Sequence, residues 1–475
     1  MKAYIERYLQ ENREYFENVS SYIYYHPETR FEEYKSAEFL ARQCEKQGFT
    51  VERNAGNIET AFVATYGSGK PVIGFLGEYD ALSGLGQKPN VFKRESDGKE
   101  NGHGCGHNLL GTGAFAAACA VKHYLETHNL EGTVKFFGCP GEEGGSGKTF
   151  MVREGVFDGV DIALTWHPAT VNAVMSLSTL ANYQVYFRFT GTPSHAAGSP
   201  HLGRSALDAV ELMNVGVNYL REHVIDEARI HYAVTDTGGI SPNVVQAQAE
   251  VLYLIRAPKI SDVESIYQRM IKIARGAALM TETEVEIRFD KACSNFVPNR
   301  HLEKILYEKL VETGAGEFTE EEQKFAENMW QTFSEEEKKN AIPAMKGFGY
   351  QGDGKEFTGK YLADTISPYQ PSDEILMGST DVGDVSWVVP TAQLSSATAV
   401  IGTSLHSWQM TAQGLTSIAN KGMLRAAQAL ALTGLHVIIS PQDLQKIKEE
   451  FAAFQKENPY HCPIPADVRP SKLKK

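Results

Sequence analysis

Residues 133–168 read TVKFFGCPGEEGGSGKTFMVREGVFDGVDIALTWHP, and this stretch decides the fold. The run 133–138 is short, apolar and followed by turn residues, which suits a strand buried on both faces. A Gly-rich loop leads to a helical pattern near 147–154 and then to a further apolar run at 160–165. Strands alternating with a helix in this way predict an α/β domain with a mainly parallel sheet. The alternation extends upstream. Helical patterns at 3–18 and 35–47 precede the apolar run PVIGFL (71–76), and a Gly-rich stretch then leads to a helix near 109–126. The expected class is α/β, with a mainly parallel, buried sheet.

The pattern changes near residue 180. ANYQVYFRFTG alternates apolar and polar residues, as a half-exposed strand does. A helix at 204–223, the run QAEVLYLIR (248–256), a helix at 261–279 and the strand TEVEIRF follow. Together they predict a small α+β insert with one open sheet face, spanning 183–297. A charged helical stretch at 318–340, a strand-like ATAVIG (397–402) and a helix at 414–432 indicate that the first domain resumes. That domain is therefore discontinuous, 1–182 and 298–475.

A chain of 475 residues exceeds one ordinary core, in keeping with two domains. Its apolar content of 42% and charged content of 22% are those of a globular protein. The formal net charge of -13 argues against nucleic acid as a partner, since phosphate binding needs a basic face. No uninterrupted apolar run reaches a membrane-spanning length, and the polar N-terminus reads as an amphipathic helix, so no membrane partner and a cytoplasmic location are expected. The six cysteines show no regular spacing, so no disulfide framework is expected.

Metal-ligating residue types fall just after the apolar runs. Asp80 follows the first; His103, Cys105 and His107 occupy GHGCGHN; Glu142 and Glu143 follow the second; His167 follows the third; His406 comes after ATAVIG. Ligands of open α/β sheets bind beyond the carboxyl ends of the strands, so distant segments can converge there. Imidazole, carboxylate and thiolate together suit zinc, cobalt or manganese. Of two adjacent glutamates, one can ligate while the other takes a proton from an attacking water. Each residue alone also has a plain structural reading: His167 as a hydrogen-bonded strand end, His103 as a loop anchor, Cys105 as a buried thiol. The joint placement favours a site. EEGGSGKT (142–149) approaches a phosphate-binding loop but has Glu142 where that pattern needs glycine, so Lys148 and Thr149 are read as the start of an ordinary helix.

The ordered segments GEYDAL, GHGCGHNLLGTGAFAAA, GCPGEEGGSGKTFMV, TWHP, GTPSHAAGSPHLGRSALDA and GTSLHSW resemble the aminoacylase and glutamate-carboxypeptidase metallohydrolase superfamily. Within it the likeness is nearest to the branch of B-type aminobenzoyl-glutamate hydrolase chains and amidohydrolases. The resemblance implies a catalytic domain with two divalent metals, zinc or manganese, and an inserted domain that forms a homodimer and covers the site. It implies Cys105, His107, Glu143, His167 and His406 as ligands and Glu142 as general base. His195 would reach the partner's site, and Asn243 and Arg256 would contact the substrate. Two departures stand out. The H-x-D motif common in the superfamily reads Glu78-Tyr79-Asp80 here, which leaves Glu78 outside the ligand set and Asp80 as support behind it. Asn108 replaces an aspartate frequent in the auxin-conjugate enzymes.

The expected reaction is metal-dependent hydrolysis of the amide of an N-acyl amino acid, with aminobenzoyl-glutamate first in line. A dipeptidase on short unusual dipeptides is the alternative within this chemistry. A metal-free binding protein on the same scaffold is the alternative outside it. A related A-type chain is a further candidate partner.

Overall fold

The computed structural model describes residues 1–473. In chain order its strands begin with β1 (Thr50–Arg53), β2 (Phe62–Ser68), β3 (Val72–Glu78), β4 (Leu82–Ser83) and β5 (Asn101–Gly102). There follow β6 (Gly132–Cys139), β7 (Ile162–Ala169), β8 (Ala173–Val174) and β9 (Ser178–Thr179). The remainder are β10 (Ala181–Thr190), β11 (Arg229–Asp236), β12 (Gln248–Ala257), β13 (Glu284–Cys293), β14 (Ile375–Leu376) and β15 (Thr391–Ala397).

Seven strands form one sheet in the order β1-β2-β6-β3-β7-β15-β8. Its centre, β6, β3, β7 and β15, is parallel, and antiparallel strands flank it on both sides. The Val72–Glu78 strand is buried at every position, as its unbroken apolar run requires. The helices His107–His128 and Ser417–Ile439 pack together in the core of this sheet. By length and composition Ser417–Ile439 could cross a membrane, but 78% of its apolar window is buried inside the fold, as in a core helix.

A second sheet, β11-β12-β10-β13, is wholly antiparallel and carries the helices Ala206–Leu220 and Ile260–Thr281 on one face. The architecture is thus α/β with a mainly parallel central sheet and an α+β insertion. The chain expected to be helical at 318–340 forms Glu320–Trp330 and Glu335–Lys346, each opened by a capping box, Thr319 with Glu322 and Ser334 with Glu337.

Three local expectations need correction. The N-terminal helix is two, Lys2–Glu11 and Arg13–Tyr25, broken where the Asn12 side chain donates to the Tyr8 carbonyl. Strand β10 is almost entirely buried. Its apolar residues meet the helices, while its polar residues Asn182 and Gln184 line a cavity on the other face. The strand expected at ATAVIG lies earlier, at Thr391–Ala397, hidden by its polar sequence TAQLSSA. Its buried hydroxyls are satisfied, Ser395 by the Phe348 carbonyl and Ser396 by that of Gly422. The edge strand β11 escapes sequence reading, because an exposed edge has no inward and outward alternation to reveal it.

Candidate active site

The predicted convergence occurs. Glu78 ends β3, His107 opens a helix, Glu142 and Glu143 follow β6, and His167 lies near the end of β7. Among the described residues three groups bring their candidate ligand atoms within 4.8 Å of one another: Cys105, His107 and His167; Cys105, Glu143 and His406; and Glu78, His107 and Glu142.

Local backbone geometry explains how. Gly106, between Cys105 and His107, has φ +78°, and a Cβ there would stand 2.9 Å from Pro168, the neighbour of His167. Only glycine lets the two loops approach so closely. His406 itself adopts φ 58°, a left-handed conformation that costs a non-glycine residue about 1 kcal/mol or more. Its N–H donates to the Gly104 carbonyl at 2.8 Å, which fastens the His406 loop to the Cys105 loop. Glu33 accepts from the N–H of Gly141 at 2.9 Å, and Arg30 bonds the Gly144 carbonyl while pairing with Asp290 of the second sheet. The glutamate loop is therefore held from both sides.

The hydrogen bonds leave the right atoms bare. His107 donates from Nδ1 to Asp80 Oδ1 at 2.9 Å, and His167 donates from Nδ1 to the Pro168 carbonyl at 2.8 Å. With Nδ1 so engaged, each ring turns its Nε2 toward the cluster, and that of His167 stands 3.5 Å from Cys105 Sγ. Asp80 Oδ2 accepts from the Glu143 N–H at 2.7 Å, so Asp80 orients two candidate ligands from behind. His107 Nε2 and Glu143 Oε1 are buried yet make no hydrogen bond. Glu143 Oε1 does lie 2.9 Å from His406 Nε2, but out of hydrogen-bond alignment. Buried polar atoms normally find partners. A soft and hard donor set with bare atoms facing one another fits divalent cations.

Electrostatics separates the two glutamates. Burial, reinforced by Glu78, Glu143 and Asp381, pushes the Glu142 carboxyl well above the usual carboxylate range. Burial acts in the same direction on Glu143, but the adjoining His406 and His107 outweigh it and bring that carboxyl down to about 2. His103 is a different case. Burial and the neighbouring His107 hold it down to about 3, and its Nε2 donates to the Ile23 carbonyl at 3.0 Å. It is a neutral loop anchor.

A cavity of about 380 Å³ opens over this cluster. Cys105, Glu142, Glu143, His167 and His406 line one wall, and Arg256 with Asn182 and Lys291 of the second sheet lines the other. His195 and Asn243 do not line it. They sit on two exposed loops that meet, where the Asn243 carbonyl accepts from the N–H of Ala196 at 3.0 Å. His195 Nδ1 accepts from the N–H groups of Ala197 and Gly198, which assigns its ring proton to Nε2.

Several of these side chains escape sequence reading. Lys148 belongs to the helix Gly147–Arg153 as expected, yet it is no ordinary helix residue. Its ammonium is fully buried and lies 2.6 Å from both Glu78 Oε1 and Asp381 Oδ1. Glu78, set aside on sequence grounds, reaches the cluster, with Oε2 3.4 Å from His107 Nε2. Its other oxygen is neutralised by Lys148. Burial pushes Asp381 up to about 6, with Lys148 opposing. Asp381, Asn182 and Lys291 follow no motif; only the fold brings them here.

This architecture and site define a family. Residues 74–358 match peptidase family M20/M25/M40, and the chain belongs to that family. It is 54% identical to the B-type chain of p-aminobenzoyl-glutamate hydrolase from Escherichia coli K12, with 99% of each chain covered. Among solved structures, an aminobenzoyl-glutamate utilization protein from Klebsiella pneumoniae aligns with TM-score 0.61 and 16% identity, covering 91% of this chain and 98% of that one. A dinuclear metal binding peptidase of the M20 family from Bacillus subtilis aligns with TM-score 0.53 and 15% identity, over 92% and 99%.

Proposed function

We propose that this chain is a two-metal amidohydrolase that releases a dicarboxylic amino acid from its N-acyl conjugate, with p-aminobenzoyl-glutamate as the leading substrate. One observation carries the reading: a single cavity holds the Cys105, Glu143, His167 and His406 cluster on one wall and the Arg256 guanidinium on the other. At about 380 Å³ it lies within the range of about 300–1,000 Å³ typical of small-molecule sites. The end-to-end similarity to the Escherichia coli hydrolase chain supports the choice of acyl group.

Cys105, His107, Glu143, His167 and His406 would hold two divalent cations, zinc or manganese, which supply Lewis-acid polarisation of the amide carbonyl and acidify water. Glu142 takes the proton from the attacking water and returns it to the leaving nitrogen. Its buried setting keeps the protonated form accessible between these two transfers. Arg256 grips the α-carboxylate with its planar fork. Phe348, whose ring lies 5.5 Å from that of His167, offers the acyl arene a stacking face.

The inserted unit, 183–297, would cover the site and pair with a second copy. Leu212, Val215 and Tyr219 stand exposed on the helix Ala206–Leu220, Tyr232 and Val234 on the edge strand β11, and Ile240 is 98% exposed in the loop that carries Asn243. An apolar strip beside an open sheet edge suits a homodimer interface. Within it the imidazole at position 195 of one copy would donate its Nε2–H to the developing oxyanion in the other, and Asn243 would come against the substrate. The Escherichia coli hydrolase has an A-type chain as well, and 30% identity to it over 257 residues of this sequence supports a related A-type chain as an additional partner.

The test is hydrolysis of p-aminobenzoyl-glutamate by the purified chain supplied with manganese or zinc, followed by release of p-aminobenzoate. Turnover supports the proposal. Cleavage of short dipeptides without cleavage of the aminobenzoyl conjugate moves the substrate to the dipeptidase class.

A further inference from the structure

The second sheet presents the cavity with an ordered tile of side chains. Register places Arg256, Asn182 and Cys293 side by side in one cross-strand row, and Leu254, Gln184 and Lys291 in the next. All six line the cavity. The opposite face is apolar and packed, with the Tyr183 ring edge-on to Tyr267 of the helix Ile260–Thr281. The polar tile is therefore directional, and it carries two cations, one per row.

These cations lack counter-ions. Neither Arg256 nor Lys291 forms an ion pair among the described residues, and Arg256 Nε is buried without a hydrogen-bond partner. The Lys291 ammonium is buried and donates to Asn182 Oδ1 at 3.0 Å. Its sequence neighbour Asp290 forms no ion pair with it, that carboxylate being engaged by Arg30, Gln184 and Ser471. The acidic residues of the cavity, Glu78, Glu142, Glu143 and Asp381, lie with the metal cluster, where Lys148 pairs with the first and last. Burial pulls the Lys291 ammonium below its ordinary range, Arg256 and Arg30 add repulsion, and Cys293 and Asp290 offset only part of this. A buried ammonium facing the same cavity as a half-buried guanidinium, with no anion paired to either, is costly, and a ligand that supplies two anionic groups offsets that cost.

We propose that Lys291 is a specificity-determining residue that receives the side-chain carboxylate of the substrate while Arg256 receives the α-carboxylate, so that the site selects glutamate and aspartate conjugates over neutral ones. The division follows the chemistry of the groups. The rigid guanidinium fork matches a carboxylate at a fixed position next to the scissile amide. The ammonium is a point charge on a flexible stem and tolerates the variable reach of a side chain. The inference rests on the amidohydrolase reading and sharpens its substrate class.

The experiment compares p-aminobenzoyl-glutamate with p-aminobenzoyl-glutamine, a near-isostere that keeps the α-carboxylate but has a neutral side chain, on the wild type and on Lys291→Met. Wild type should prefer the glutamate conjugate, and the substitution should shrink that preference in kcat/KM by about 10- to 100-fold, chiefly through KM. Lys291→Arg should retain part of it. Equal losses on both substrates would show that Lys291 only supports the fold, and the inference would fall. Calorimetric binding of glutarate and of butyrate separates this inference from the parent reading. Even if neither conjugate is hydrolysed, wild type should bind the dicarboxylate more tightly and Lys291→Met should lose that difference. If wild type does not distinguish glutarate from butyrate, the two-carboxylate site does not exist.

Discussion

The two sheets build opposite walls of one cavity by opposite means. The seven-stranded sheet contributes single residues from the ends of its strands and from the loops beyond them, such as Glu78, Glu143 and His167. The four-stranded sheet contributes from its face, in rows set by strand register, such as Arg256 beside Asn182. A strand-end residue is free to turn toward a common point, which suits ligands that must converge within a few ångströms. A face residue is fixed by its neighbours and points one way, which suits a receptor with a defined pattern of charge. Under the proposed function, chemistry falls to one sheet and recognition to the other.

If that division holds, damage to the strand-end wall should abolish turnover whatever the substrate. The largest effect expected is from Glu142→Gln, which removes the base while keeping its size. Turnover should fall by about 100- to 10,000-fold with bound metal retained. Glu143→Gln should instead reduce metal content, measured by elemental analysis. The reverse pattern would exchange the roles of the two glutamates.

His195 belongs to neither wall of its own chain, and it probes where the site is completed. His195→Ala should cost about 100- to 1,000-fold, as for loss of one oxyanion donor. Mixing it with Glu142→Gln should restore activity if the proposed homodimer forms, because a hybrid dimer would contain one site with an intact base and an intact donated imidazole. Absence of recovery after demonstrated subunit exchange would place His195 outside the neighbouring site.

The same contrast governs what is legible in the sequence. The strand-end wall can be read because each ligand type follows an apolar run or sits in a glycine-rich loop. Cys105, His107, Glu142, Glu143 and His167 need only that local signal. His406 is legible although its strand is not, since TAQLSSA conceals a buried strand behind small polar residues whose partners lie elsewhere in the fold. Face residues carry no such signal. Lys291 in FDKACS looks like a surface lysine until register sets it opposite Gln184. Lys148 looks like a helix start until Glu78 and Asp381, the latter 233 positions away from it, close around it. Arg256 is reached through resemblance, and nothing in LYLIRAP distinguishes it from a rim cation.

A smaller effect tests the face wall. Asn182 accepts a hydrogen bond from the Lys291 ammonium. Asn182→Ala should free that lysine and lower the efficiency on the glutamate conjugate by about three- to tenfold, more than on the glutamine conjugate. An equal drop on both would mean that Asn182 serves the strand-end chemistry as well.

The most direct test of the central claim is the metal content of the purified chain, measured by elemental analysis alongside hydrolysis of p-aminobenzoyl-glutamate through chelation and reloading. The account predicts two divalent ions per chain in the active protein, loss of turnover as they are removed, and recovery with manganese, zinc or cobalt. Full turnover in a chain shown to contain no metal would contradict it.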